Sequence, residues 1–158
     1  MATRGIIRFA KREEGVSFNE HPENVEVQIY KHYDTYPEGL GLDLAKFLGD
    51  FRVVNGLGKD EDKVANGMGC LAAQLIANLK THSINRHGDI KCTPGNVYVE
   101  NPDTKRTDLE YIYYIWVTEN KSIWISMFKG FGNGDDFDCI FVGEPKKLIE
   151  KYTTKHDD

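Results

Sequence analysis

The run Tyr111-Ile112-Tyr113-Tyr114-Ile115-Trp116-Val117 decides the fold of this chain. Successive side chains of a β-strand point to opposite faces of the sheet, and here both sets are apolar or aromatic. Such a strand is stable only where both faces are shielded from water. The sequence therefore predicts a strand that is central in its sheet or covered on both sides.

Further strands follow and precede this run. Glu119-Asn120-Lys121 reverses the chain into Ile123–Phe128, which predicts a β-hairpin. Alternating apolar residues predict other strands, and the first two are expected to pair antiparallel across a polar loop at 12–24. These strands cover residues 3–11, 24–32, 96–100 and 137–142.

Helical spacing replaces the strand pattern in three places. Leu40, Leu44, Phe47, Leu48 and Phe51 form one apolar stripe and predict a first helix. A second helix is predicted from about Lys59 to His82, with Val64 on its apolar side. A short third helix begins near Pro145, a residue tolerated in a first turn, and runs to about Tyr152.

The predicted fold class is α+β, in a single domain of residues 1–152 followed by a frayed tail at 153–158. The order of elements lacks regular βαβ alternation, so we expect a mainly antiparallel sheet of five or six strands. Two main helices pack on one face of that sheet, and the short C-terminal helix completes the domain.

Composition excludes several classes of protein. The net charge of −5 repels phosphate, so nucleic acid is an unlikely partner. No apolar run is long enough to cross a bilayer, and residues 1–5 lack the apolar core of a signal peptide, so we expect no membrane association and a cytoplasmic location. Cys70, Cys92 and Cys139 are widely spaced and are expected to be reduced. Paired metal-ligand spacings are missing, so we expect neither a metal nor another cofactor.

The segment His32–Gly39 is the candidate ligand site, because it concentrates polar and aromatic groups where a strand passes into a helix. A histidine, carboxylates and phenols at a helix start suit a small polar or anionic ligand. The candidate ligand-binding residues are His32, Tyr33, Asp34, Tyr36 and Glu38.

Helix capping is the alternative interpretation of the same segment. Thr35-Tyr36-Pro37-Glu38 matches a capping box, in which Thr35 caps the helix and Glu38 reaches back to it. Asp34 could also be the cap. Capping leaves His32, Tyr33 and Tyr36 without a role. Glycines on both sides of Leu40 are costly in a helix, which indicates a close approach of other atoms to this backbone.

The segment also resembles a known family. Ala2-Thr3-Arg4 and the later run Tyr30-Lys31-His32-Tyr33-Asp34-Thr35-Tyr36-Pro37-Glu38-Gly39 are similar to small uncharacterised proteins of phages, prophages and bacteria. Their pattern is an A-T-R strand and an H-W-D-G-Y-P-E-like motif. Tyr33 stands here in place of tryptophan, and Thr35 in place of a frequent glycine. The resemblance fades after the first helix, and it implies a phage or mobile-element setting without any particular reaction.

Three functions remain open on the sequence alone. The leading hypothesis is an accessory protein that binds a partner protein or a small polar ligand near His32–Gly39. The second is a hydrolase or phosphodiesterase that uses His32 with Asp34 or Glu38 as acid and base. The third is a structural module, in which exposed aromatic residues of the second half form a homodimer face.

Overall fold

We analysed a computed structural model of the chain, which describes residues 3–12, 15–56, 61–80, 95–130 and 136–153. The predicted α+β architecture is confirmed. Eight strands form a six-stranded sheet, in the order β5-β2-β1-β6-β7-β8, and a separate pair, β3-β4. The strands are β1 (Gly5–Lys11), β2 (Val25–Lys31), β3 (Arg52–Val54), β4 (Val64–Asn66), β5 (Val97–Glu100), β6 (Tyr111–Val117), β7 (Ile123–Gly130) and β8 (Phe137–Gly143).

The central position of β6 is confirmed. All of its residues are buried, and it lies between β1 and β7. The predicted hairpin joins β6 to β7, and β1 pairs antiparallel with β2 as expected. The one parallel pairing of the large sheet joins β1 to β6, with Gly5 opposite Tyr111.

Three α-helices cover one side of the sheet, which we call the first face. They are α1 (Leu42–Leu48), α2 (Gly67–Leu79) and α3 (Pro145–Thr153). Their buried side chains, such as Leu44, Leu71 and Leu148, pack in one cluster with Ile7 and Ile115 of the sheet. In the described residues no helix is both long enough and apolar enough to span a membrane.

The second face of the sheet is covered by irregular chain instead of helices. Residues 15–24, which we call the strap, lie across its β6–β7–β8 side. Phe18 of the strap stacks on Trp124 at 4.8 Å between ring centroids and meets Trp116 edge-on. The segment predicted as a simple polar connection therefore closes the second half of the core.

The predicted start of the second helix is wrong. Val64 belongs to β4, which pairs in parallel with β3, and α2 begins only at Gly67. Gly67 has a φ of +81°, a left-handed conformation that separates strand from helix and that glycine adopts without strain. Lys59 and His82, the predicted ends, lie outside the described residues.

The first helix is shorter than its apolar stripe. Pro37–Gly41 form one π-helical turn, α1 follows directly, and Phe51 comes after the helix has ended. At the other end of the chain, α3 agrees with the predicted terminal helix. Of the predicted tail at 153–158, only Thr153 is described, and it is the last residue of α3. Cys70 and Cys139 are free thiols, whereas Cys92 lies outside the described residues.

Candidate functional site

The predicted capping box at the start of the first helix does not form. Thr35 is fully buried, and its hydroxyl donates to the Thr3 carbonyl at 2.8 Å instead of capping a helix. No side chain caps the π turn, for which Tyr36 is the N-terminal flanking residue. The prediction that Thr35 caps the helix is wrong because a local sequence motif does not show that tertiary contacts will bury the threonine hydroxyl.

Backbone carbonyls satisfy the amides of the π turn. The Asp34 carbonyl accepts from the amide of Leu40 at 3.1 Å, and the Tyr36 carbonyl accepts from the amides of Gly39 and Gly41. Asp34 reaches this position with a φ of +58°. Three amide donors that an anionic ligand would need are therefore already used.

The two glycines of this turn are needed for close packing, as the sequence indicated. A Cβ atom on Gly39 would lie 2.8 Å from the Asp34 carbonyl oxygen, and one on Gly41 would lie 3.1 Å from the end of Met127. The atoms that approach the turn so closely are the Asp34 carbonyl oxygen of the same segment and the Met127 side chain of β7.

Two of the predicted site residues join an aromatic row on the surface. The row consists of Tyr33, His32, Tyr30 and Tyr98, with successive ring centroids 4.5, 6.0 and 6.0 Å apart. His32 Nδ1 lies 2.7 Å from the Tyr30 hydroxyl. Tyr33 and Tyr98, at the two ends, keep 44% and 43% of their surface exposed. The row presents aromatic surface to solvent on a strand framework.

An ion pair holds the middle of the aromatic row. The Arg106 guanidinium lies 3.5 Å from the centroid of the Tyr30 ring, which is a close cation–π contact. Arg106 Nη2 and Nε also donate to Glu100 at 2.6 and 2.9 Å, and Gln28 donates to the same carboxylate at 3.1 Å. Since Glu100 and Tyr98 both belong to β5, this contact fixes the row against the sheet edge.

Burial and the nearby charge of Arg106 have opposite effects on the pKa of Tyr30, in the middle of the row. Burial raises the pKa of the Tyr30 phenol, and the positive charge of Arg106 partly offsets that effect. The hydrogen bonds to Glu100 raise the pKa of Arg106. Tyr30 thus stays a neutral phenol near neutral pH, and the Arg106 charge is balanced by Glu100.

The remaining predicted residues lie away from the row. Tyr36 is 40% exposed, and no ring contact joins it to the row in the described part of the chain. Glu38 is exposed, and its charge adds to the effect of burial in raising the pKa of Tyr152, a residue of the first-face cluster. Tyr30, the partner of His32, belongs to the second-face cluster.

Among the described residues, no carboxylate is hydrogen-bonded to the His32 ring, as an acid–base pair would require. In the described residues the hydrogen-bond partner of its ring is Tyr30, and no hydrogen bond or ion pair joins that ring to Asp34 or Glu38. A general base must reach its proton donor or acceptor within hydrogen-bond distance. The geometry gives the hydrolase hypothesis no support.

An open cavity of about 890 Å³ lies between α1 and α2, and Lys31, the residue before the candidate segment, lines it. Phe47 and Phe51 form part of its wall. Two of its lysines donate to backbone carbonyls, Lys31 to that of Tyr33 and Lys63 to that of Gly49, whereas a third lysine, Lys46, makes no hydrogen bond or ion pair in the described residues. Burial lowers the pKa of Lys31, while Asp34 and Asp43 oppose the change. The described lining of the cavity carries both signs of charge, because Asp43 and Asp62 line it together with Lys46.

Sequence reasoning missed Tyr30, Tyr98, Arg106 and Glu100. The alternation in 96–100 could have indicated that Tyr98 and Val99 take opposite faces, but not which strand would lie beside them. Only the pairing of β5 with β2, which sets Tyr98 opposite Tyr30, brings these residues together.

Comparisons with models of protein families, with curated proteins and with solved structures found no match to this chain. Among the described residues, no three His, Cys, Asp or Glu side chains are grouped so that they could hold a metal ion.

Proposed function

We propose that this chain is a small cytoplasmic accessory protein that binds a partner protein through the aromatic row. The observation that carries the proposal is the row itself, with exposed tyrosines at both ends and a rigid middle. Tyrosine and arginine are the residues that most often dominate protein interfaces, since they bury large area at low entropic cost. The resemblance of the N-terminal segment supports a phage or mobile-element setting.

A protein partner fits the row better than a small polar ligand does. The amides at the π turn are bonded internally, and the Arg106 guanidinium is paired with Glu100. An aromatic surface whose charges are already balanced can be covered without leaving a buried charge unpaired. Desolvation of this surface therefore has a low cost.

Affinity capture with the tagged chain tests the proposal. The double variant Tyr33→Ala/Tyr98→Ala should reduce recovery of the specific partner at least about tenfold, because truncating a central interface residue commonly costs more than 1 kcal/mol. Tyr36→Ala is the matched control, since Tyr36 is similarly exposed and lies outside the row.

The outcomes separate cleanly once circular dichroism shows that all variants fold. Equal capture by wild type and the double variant would contradict the proposal, and so would an equal loss with Tyr36→Ala. A second copy of this chain is one possible partner. Light scattering would then show a dimer that the double variant converts to a monomer.

A further inference from the structure

No described strand pairs with the outer edge of β5. The His32 amide donates to the Asn96 carbonyl at 3.0 Å, and the register places Val97 opposite Lys31 and Val99 opposite Ile29. Bonded and non-bonded pairs alternate along an antiparallel ladder. The N–H and C=O groups of Val97 and Val99 therefore point away from β2, to the outside of the sheet.

Several features that usually protect an edge strand are missing from β5, although the strand has only four residues and its one charged residue, Glu100, is paired with Arg106. Its sequence Val-Tyr-Val-Glu contains no lysine or proline, and its register with β2 is regular. Val99 is 64% exposed, the highest value among the exposed large apolar residues of the described chain. At the opposite edge, β8 has an irregular register with β7 between Met127 and Phe128. Bulges commonly prevent unwanted pairing, so among the described residues β5 is the more open edge of the sheet.

Both sides of β5 offer side-chain contacts to an added strand. Val99 lies on the first-face side, and Tyr98 lies on the second-face side, within the aromatic row. A strand added beside β5 would present alternate side chains to these two surfaces. Backbone bonds then supply affinity, and the contacts with Val99 and Tyr98 supply selectivity.

We infer that the partner contributes an extended peptide segment that adds to the sheet along β5 as a seventh strand. This inference rests on the proposed function, because it names the form in which the partner meets the aromatic row. The segment carries an aliphatic side chain against Val99. It carries an aromatic or similarly flat side chain against Tyr98, which lies between the added strand and Tyr30.

Val99→Pro is the decisive variant. The Val99 amide points outward, so proline removes a donor that β2 does not use, and edge strands tolerate proline at such positions. An added strand, however, loses that bond and meets the proline ring. Val99→Ala is the matched control, since it shortens the side chain and keeps the amide.

Peptides selected from a random library on the wild-type chain serve as the probe. The dissociation constant should rise at least about tenfold for Val99→Pro, and by less for Val99→Ala. Peptides that bind Val99→Pro as tightly as wild type would overturn the inference, and so would a selection that enriches no peptide.

Amide exchange checks the edge directly. In the free chain the amide of Val99 should exchange fast and that of Tyr98 slowly, because Tyr98 bonds to Tyr30 across the ladder. The selected peptide should then protect Val99. Protection of Val99 in the free monomer would show that the edge is already covered and would overturn the inference.

The failure of this inference is distinguishable from the failure of the proposed function. If the partner is lost with Tyr33→Ala/Tyr98→Ala and kept with Val99→Pro, the row binds a folded surface and no strand is added. If both variants keep the partner, the proposed function fails as well.

Discussion

Thr35 ties the candidate segment to the sheet at the scale of single residues. Its hydroxyl donates to Thr3 ahead of β1, and its carbonyl accepts from the Tyr113 hydroxyl of β6 at 2.6 Å. The bond from Tyr113 is shielded from water, since Thr35 and Tyr113 are each fully buried. The turn after β2 is thus positioned by strands far from it in sequence.

Tyr113→Phe should destabilise the fold by about 1 to 3 kcal/mol, because it leaves the buried Thr35 carbonyl without its donor. Urea unfolding measures the change. Tyr33→Phe is the matched control, since the hydroxyl of Tyr33 makes no hydrogen bond in the described residues, and it should be neutral. Equal stabilities for the two variants would mean that the Tyr113 bond contributes nothing.

The strap is the element whose stability depends most on a few side chains. Besides Phe18, it is held by His21, whose Nδ1 lies 2.7 Å from the Tyr114 hydroxyl and whose ring stacks on Phe128 at 4.3 Å. Arg8 donates to the same hydroxyl at 3.2 Å. A protonated His21 would therefore face a like charge.

Acidification should weaken the fold through His21. Partial burial, and then the Arg8 guanidinium, lower the pKa of His21 from its ordinary 6.5. The unfolded chain takes up the proton first, so the contribution is complete above 6.5 and is lost progressively as the pH falls below 6.5. The dependence should be shallow, because the outer side of the ring remains in water.

Tryptophan fluorescence is a suitable measurement, since the chain has two tryptophans and Phe18 of the strap contacts both. The free energy of unfolding should decrease less on acidification in His21→Phe than in wild type. Identical profiles for wild type and His21→Phe would exclude His21 as the source.

Strands were predicted better than helices, for a physical reason. Alternation along β1 and β2, and apolar residues on both faces of β6, report directly on burial, and these strands lie where the pattern placed them. The ends of α1 and α2 depend instead on contacts with β7 and with β3. Gly67 permitted the break before α2, yet nothing local to Val64 shows that Arg52 will pair with it.

The whole molecule is organised by the pairing of its first strand with a strand from its second half. Arg8 on β1 is hydrogen-bonded to Tyr114 on β6, 106 positions along the chain. Ile7 and Phe9 are fully buried between β2 and β6. The N-terminal half therefore cannot bury its own first strand.

A fragment that ends at Asp108 should lack cooperative unfolding, although it retains β1, β2 and β5. Without β6 the apolar residues of β1 remain exposed to water. The fragment therefore lacks the burial that offsets the entropic cost of pairing strands distant in sequence. Thermal melts by circular dichroism, compared with the intact chain, measure this. A sigmoidal melt of the fragment would show that the half-sheet is autonomous.

The fold class followed from composition and periodicity, whereas the aromatic row did not. Tyr30 lies in β2 and His32 follows the end of that strand, whereas Tyr98 lies in β5 and Arg106 in the loop after β5. Their meeting depends on register, which single-sequence patterns leave open. His32 and Tyr33 were found because they adjoin a recognisable strand end, and Tyr36 and Glu38 were included only through their nearness in sequence.

The direction of the strands also determines how the molecule resists a mechanical pulling force. β1 and β6 are parallel, and β8 runs the same way because β7 opposes both of its neighbours. A force that pulls on the start of β1 and the end of β8 acts along the strands, so the ladder bonds between them resist together in shear instead of opening one after another. The strands from β1 to β8 across the centre of the sheet therefore resist a pulling force along their length together. β5 lies outside the part of the sheet between the two pulled ends, so it does not carry this force.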